Sequence, residues 1–179
     1  MRFRALGLPP AAVIELVPHA DERGFFARTA CESEFAEQGI PTRFPQCNLS
    51  RNLKRGTLRG MHYEAPFGAK IMRCTRGAAY DIMVDLRAGS PTRFRWVGVE
   101  LTAERGDAVY VPAGFAHGFL TLSDDTDLLY QMADSYRPDS ARGFRFNDPK
   151  FAFEWPEAPR VVSERDAAYP DFDPATVGG

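Results

Sequence analysis

An all-β domain, a sandwich or a barrel of short strands, is what this sequence predicts, and three observations predict it. Fifteen glycines and 14 prolines punctuate the 179 residues at short intervals. The segments between them are rich in Val, Ile, Phe, Tyr and Thr, side chains that suit a pleated surface. Strands never alternate with long helices, as they would in a parallel sheet. At 44% apolar residues the chain has enough material for one hydrophobic core, and its length fits a single domain, 1–179.

In chain order, the first regular element is a helix over Glu32 to Gln38, carrying Phe35 and Ala36 and stopped by Gly39. Gln46 to Ser50 follows as a strand whose polar residues Gln46, Asn48 and Ser50 share one face. A polar row would be wasted on a closed hydrophobic core, so the face meets either solvent or a cavity. Next comes Arg55 to Glu64, where Gly60 permits a bulge that lets Arg59 and His62 look into the same space despite their spacing. Ala79 to Leu86 is the clearest strand. Tyr80, Ile82, Val84 and Leu86 alternate there with Ala79, Asp81, Met83 and Asp85, which predicts one core face and one wet face. Trp96 to Leu101 and Ala108 to Val111 are strands on either side of the Glu104-Arg105-Gly106-Asp107 turn. Phe115 to Leu122 and Asp127 to Met132 flank the turn at Ser123-Asp124-Asp125. From about residue 156 the composition shifts to Pro, Glu, Asp and Ala, predicting a tail laid over the domain with 173–179 disordered.

Several function classes are excluded. Twenty-two basic residues against 24 acidic ones leave a net charge of −2, so no cationic field draws the chain to nucleic acid or an anionic membrane. No apolar run approaches the roughly 20 residues that span a bilayer, and the first residues are too short and broken for a signal peptide; the expectation is a soluble cytoplasmic protein. Cys31, Cys47 and Cys74 are odd in number and widely spaced, which predicts buried thiols rather than disulfides or a zinc knuckle. The three histidines, His19, His62 and His117, lack ligand spacing, so no metal is expected. Neither G-x-G-x-x-G nor G-x-x-x-x-G-K-[ST] occurs, leaving a dinucleotide or P-loop nucleotide no standard cradle.

The order of motifs carries more than any one of them. Asp21-Glu22-Arg23-Gly24-Phe25-Phe26 is followed by Gln46-x-Asn48-x-Ser50, by Leu58-Arg59-Gly60-Met61-His62-Tyr63, and by Asp81-x-x-Val84-Asp85-Leu86-Arg87-x-x-Ser90-Pro91-Thr92. Pro112-x-Gly114-Phe115-Ala116-His117-Gly118-Phe119, Tyr130, Tyr136-x-Pro138 and Asn147-Asp148-Pro149 complete the series. In this order they resemble the dTDP-4-dehydrorhamnose 3,5-epimerase family, over about Asp21 to Asp166. The resemblance implies a cupin-like double-stranded β-helix jelly roll with a few short helices. It also implies an isomerase with no cofactor, a nucleoside-diphosphate 4-keto-6-deoxyhexose as substrate, and a homodimer that exchanges strands between subunits.

Carried over to this sequence, the family pattern makes His62 the general base, held by Asp166, with Tyr130 the acid on the opposite face of the sugar and Lys70 beside the enolate oxygen. The chemistry suits those residue types. An imidazole with an ordinary pKa of about 6.5 accepts a proton at neutral pH, whereas a phenol near 10 gives one. A preorganised donor at an enolate oxygen is worth about 3 kcal/mol. Arg23 and Arg59 are cast against the diphosphate, where a guanidinium fork matches phosphate oxygens. Gln46 and Asn48 supply neutral contacts, Phe25 or Phe26 packs on the base, and Arg165 and Tyr136 also belong to the substrate site. His117 is either a packed turn histidine or a substrate contact. The chain departs from the pattern at Arg28 and Ala141, each replacing a common Glu at the border of the nucleotide site, and at Glu64, where Gln is common. Three rival functions remain: inversion at one carbon only, ketoisomerisation of a related sugar, and sugar-nucleotide binding without catalysis.

Overall fold

In the computed structural model, the structure describes residues 1–64, 68–135 and 137–177. In chain order the elements are β1 (Arg2–Ala5), β2 (Ala12–Glu15), β3 (His19–Asp21), β4 (Gly24–Phe26), α1 (Glu32–Glu37), β5 (Gln46–Asn52), β6 (Thr57–Glu64) and β7 (Lys70–Arg76). They continue as β8 (Ala78–Asp85), β9 (Trp96–Thr102), β10 (Ala108–Val111), β11 (Phe115–Thr121), β12 (Thr126–Met132), β13 (Ala141–Gly143), β14 (Val161–Val162) and α2 (Glu164–Ala167). Short 3-10 turns cover Pro138–Ser140 and Pro174–Val177.

Two sheets make the body, the all-β architecture of short strands that the punctuation and strand composition predict, arranged as the jelly roll that the resemblance implies. One has the order β1-β2-β10-β7-β12-β5, the other β13-β6-β11-β8-β9 with β14 joining β6 in parallel. The pair β3 and β4 forms a separate hairpin. Between the sheets lies an apolar layer that includes Val13, Met72, Leu128, Met83, Phe115 and Phe119. A second cluster around Phe35, Ile40 and Tyr110 seats α1 on the outer face of the first sheet. Gly39, with φ +66°, ends that helix in the left-handed conformation glycine tolerates.

The expected wet face of the Ala79–Leu86 strand is a correction. Both faces of β8 are covered: Ala79 and Met83 belong to the layer between the sheets, while Ile82 and Val84 lie under Phe144, Phe151 and Phe172. Asp81 and Asp85 are accordingly fully buried. Alternation failed as a guide to solvent here because a C-terminal aromatic layer supplies the missing cover. Phe151 and Phe153 stack at 5.1 Å, and Trp96 and Trp155 donate their indole N–H groups to the carbonyls of Phe151 and Phe146, both at 3.0 Å. A buried indole needs such a partner. The stretch 173–179, for which composition predicts disorder, carries the Pro174–Val177 turn, where Thr176 Oγ1 lies 3.2 Å from the Tyr63 hydroxyl; residues 178 and 179 lie outside the described residues.

The cysteines need a second correction. Cys74 is buried, but Cys31 is half-buried and Cys47 exposed, because odd-numbered positions of β5 point away from the sheet interior. No helix among the described residues is long and apolar enough to cross a membrane.

Candidate active site

The same strand faces that build the core turn polar at one end of the sandwich. On β12, Leu128 is core, Tyr130 packs at its border and Met132 lines a cavity. Register carries that change across the sheet: Tyr130 pairs with Asn48 of β5 and Met72 of β7, and Met132 pairs with Gln46 and Lys70. Period-two alternation thus brings Gln46, Asn48, Ser50, Lys70 and Tyr130 into one cavity of ≈ 500 Å³. The facing wall comes from β6 and β11, where His62 stands opposite His117.

Arg59 and His62 both line this cavity, although three residues apart on one strand. The register between β6 and β11 shifts between His117 and Phe119, which is the irregularity Gly60 was expected to allow. Gly60 has φ +137°, and a Cβ there would lie 2.5 Å from the Cα of Gly118. The two strands can approach this closely only because both residues are glycine.

His62 is held from outside the cavity. Its Nε2 is 2.7 Å from Asp166 Oδ1, and Asp166 Oδ2 accepts a bond from the Gly60 amide at 3.3 Å. Ser163 caps the short helix α2 by accepting from the Asp166 amide at 3.1 Å, which fixes the carboxylate's own backbone. Burial alone would raise the Asp166 pKa, but the bond and charge of His62 and the Gly60 amide together hold it below the ordinary carboxylate range. A carboxylate partner on Nε2 places the imidazole proton there and leaves Nδ1 with a free electron pair. The ring of Tyr169 packs edge-on against His62 at 6.0 Å. Gly143 leaves room for it, since a Cβ there would come within 2.5 Å of that ring.

Two other groups are tuned by desolvation. Lys70 is 7% exposed; burial lowers its pKa, and the charges of Glu64 and Asp81 work against that. Tyr130 is pushed upward, first by burial and then by the charge of Asp81, so its phenol keeps its proton. Around the cavity Arg59, Arg142, Arg165 and Lys70 face one acid, Glu64, a local positive balance in a chain whose net charge is −2. Arg59 is oriented by Asn52, whose Oδ1 accepts from Nε at 2.9 Å.

Comparison with known proteins gives the arrangement its family. The family described as dTDP-4-dehydrorhamnose 3,5-epimerase matches residues 5–174. The chain belongs to that family. A Pseudomonas aeruginosa dTDP-4-dehydrorhamnose 3,5-epimerase is 40% identical over 97% of this chain and 98% of its own. A crystal structure of the Legionella pneumophila dTDP-6-deoxy-D-glucose-3,5-epimerase in complex with dTDP-4-keto-L-rhamnose superposes with a TM-score of 0.89 at 37% identity, covering 95% of this chain and 92% of that one. A Streptomyces niveus dTDP-4-dehydrorhamnose 3-epimerase is also 40% identical, over 93% of this chain and 81% of its own. The fold is therefore the cupin-like jelly roll of this epimerase family.

Of the residues expected from the family pattern, His62, Lys70, Tyr130, Gln46, Asn48, Arg59, His117 and Arg165 share the cavity, with Asp166 behind His62. Three do not reach it. Arg23 is on the β3–β4 hairpin, paired with Asp21 and 84% exposed. Phe26, on the same hairpin, is 76% exposed. Arg28 forms an ion pair with Glu34 at 2.6 Å, at the end of α1 that also holds Cys31. Tyr136 lies outside the described residues. Among the described residues, no three His, Cys, Asp or Glu side chains group as a metal site would require.

Sequence reasoning missed Arg142, Glu64 as a cavity residue, and Tyr169. Glu64 had a usable signal, since it follows His62 by two positions on one strand. Arg142 had none: β13 is three residues long and joins β6 only through pairing with Glu64, Tyr63 and His62.

Proposed function

We propose that this epimerase-family chain inverts carbons 3 and 5 of a nucleoside-diphosphate 4-keto-6-deoxyhexose, converting dTDP-4-dehydro-6-deoxyglucose to dTDP-4-dehydrorhamnose. The observation that carries the reading is a single cavity lined by His62, Lys70 and Tyr130, with Asp166 bonded behind the histidine. Carbons 3 and 5 both flank the carbonyl at carbon 4, so one donor at its oxygen acidifies the hydrogens on both. His62 Nδ1 takes the hydrogen from one face as a proton while Lys70 donates to the developing enolate oxygen. Tyr130 then returns a proton to the opposite face of the same carbon, and the configuration inverts. Asp166, held ionised, stabilises the imidazolium formed on the way.

The basic side chains Arg59, Arg142 and Arg165 suit a diphosphate, and the neutral row Gln46 and Asn48 suits the uncharged remainder of a nucleotide. The proposal includes a homodimer. The hairpin that bears Arg23 and Phe26 extends away from its own cavity, and Leu49 and Leu53, 63% and 68% exposed, lie at the unpaired edge strand β5. A second copy would cover that apolar surface and bring the hairpin residues to a neighbouring cavity. It also includes a cytoplasmic setting, which agrees with three unpaired cysteines.

Inversion at carbon 3 alone is the second reading, favoured by the equal identity to the Streptomyces niveus 3-epimerase. Proton and carbon NMR of the product formed from dTDP-4-dehydro-6-deoxyglucose tests the proposal. The rhamno configuration is expected; inversion at carbon 3 only supports the second reading, and recovery of unaltered substrate refutes both.

A further inference from the structure

The mechanism above leaves unused a tyrosine that touches two residues of the cavity. Tyr169 packs edge-on against His62, 6.0 Å between ring centroids, and its hydroxyl accepts a hydrogen bond from Arg165 Nε at 3.0 Å. The guanidinium carbon of Arg165 stands 5.8 Å from the centre of the same ring. Arg165 and His62 line the cavity, whereas Tyr169 is not part of that lining. Its contacts are with the residues that bind, not with the space they enclose.

Strand register makes Tyr169 a fixed post. Gly143 of β13 is the cross-strand partner of His62, and a Cβ on it would come within 2.5 Å of the Tyr169 ring. The ring therefore fills the place that a side chain at position 143 would take. The backbone just beyond is tied down as well, because the Arg145 amide donates to the Pro170 carbonyl at 3.1 Å. A half-buried phenol wedged in this way keeps its hydroxyl in one position.

Arg165 needs such a post. It is exposed on α2, a helix of four residues, where a long side chain has many rotamers open to it. Ordering a side chain of that kind costs free energy that otherwise subtracts from ligand affinity. The bond to Tyr169 removes part of that freedom in advance. It also selects the edge of the guanidinium that stays available: Nε is taken, while Nη1 and Nη2 have no hydrogen-bond partner among the described residues. Two parallel N–H donors of this kind match the oxygens of a phosphate. Arg59 in the same cavity is held in the same manner, with Nε donating to Oδ1 of Asn52, itself 2% exposed. Two cavity arginines thus anchor Nε to the protein and leave their Nη groups to a ligand.

We propose that Tyr169 is a positioning residue: its hydroxyl pre-orders the Arg165 guanidinium so that Nη1 and Nη2 meet the diphosphate of the nucleotide sugar. The proposal rests on the reading that Arg165 serves the diphosphate. Tyr169→Phe tests it, because phenylalanine keeps the ring against His62 and Gly143 and removes only the hydroxyl. The dissociation constant of dTDP, measured by calorimetry on the full-length protein, and KM are expected to rise about 3- to 10-fold, with kcat within about twofold of the parent. A dTDP affinity within about twofold of the parent overturns the proposal, and so does a fall in kcat with KM unchanged.

Arg165→Ala separates this proposal from the reading beneath it. With no guanidinium left to hold, adding Tyr169→Phe to Arg165→Ala should weaken dTDP binding by less than about twofold more. The full loss in both backgrounds would mean that the hydroxyl acts without Arg165, and overturns the proposal. Unchanged dTDP affinity in Arg165→Ala refutes the diphosphate reading and the proposal with it. Weakened binding in Arg165→Ala beside normal binding in Tyr169→Phe refutes only the role of Tyr169.

Discussion

His62 Nε2 and Asp166 Oδ1 are 2.7 Å apart although 104 residues separate them in the chain. The contact exists because α2 lies over β6, with β14 pairing beside it. It fixes which imidazole nitrogen is free to act as a base. Asp166→Asn should therefore reduce kcat by about 10²- to 10⁴-fold with little change in KM, the signature of a lost tautomer rather than lost binding. Steady-state kinetics check this, and an unchanged kcat would remove Asp166 from the mechanism.

Lys70→Met should slow exchange at carbons 3 and 5 together, by about 10² to 10³, the usual loss for one donor at a developing oxyanion. One carbonyl serves both carbons, so unequal losses would mean that Lys70 acts elsewhere. Deuterium incorporation followed by NMR at each carbon measures it.

Gly60→Ala should destabilise the fold by about 2 to 4 kcal/mol, because a Cβ there meets the Gly118 backbone and φ is +137°. Gly89→Ala is the comparison. Its φ is +72° with nothing within 4 Å of the added carbon, so conformational strain alone should cost about 1 kcal/mol. Urea midpoints with unchanged slopes give both values, and equal losses would argue against the close approach of β6 and β11.

Asp85 gives the fold a pH dependence. Burial would raise its pKa, but bonds from Arg87, Ser90 and Thr92 lower it to about 2. The unfolded chain binds that proton more readily than the folded one, so the stabilisation is full above pH 4 to 5 and is lost as pH falls toward 2. A depression of this size is worth about 2 kcal/mol. Asp85→Asn should cost about that much at pH 7, and the difference from the parent should shrink by about half near pH 3. A constant difference across that range would contradict the assignment.

Much of this was legible in the sequence, for identifiable reasons. The row Gln46, Asn48, Ser50 announced a polar surface because alternation puts all three on one face, and Gly60 announced the irregularity that brings Arg59 and His62 together. The partnership of His62 with Asp166 came from family resemblance alone; nothing in Ser163-Glu164-Arg165-Asp166 distinguishes it from a solvated turn. Asp81 was misread as facing water, because alternation reports that one side of a strand is polar and cannot say whether another layer covers it. Arg23 and Phe26 do not line the cavity of their own chain, and nothing in a hairpin's sequence records where on the fold it docks.

Opposed proton transfer from two sides of one ring is tested most directly by Tyr130→Phe in heavy water, with NMR reading configuration and deuterium content separately. The expected result is deuterium taken up from the His62 side with the original configuration retained, while the parent protein takes up two deuterons and inverts both carbons. Continued inversion at the parent rate in Tyr130→Phe would contradict it.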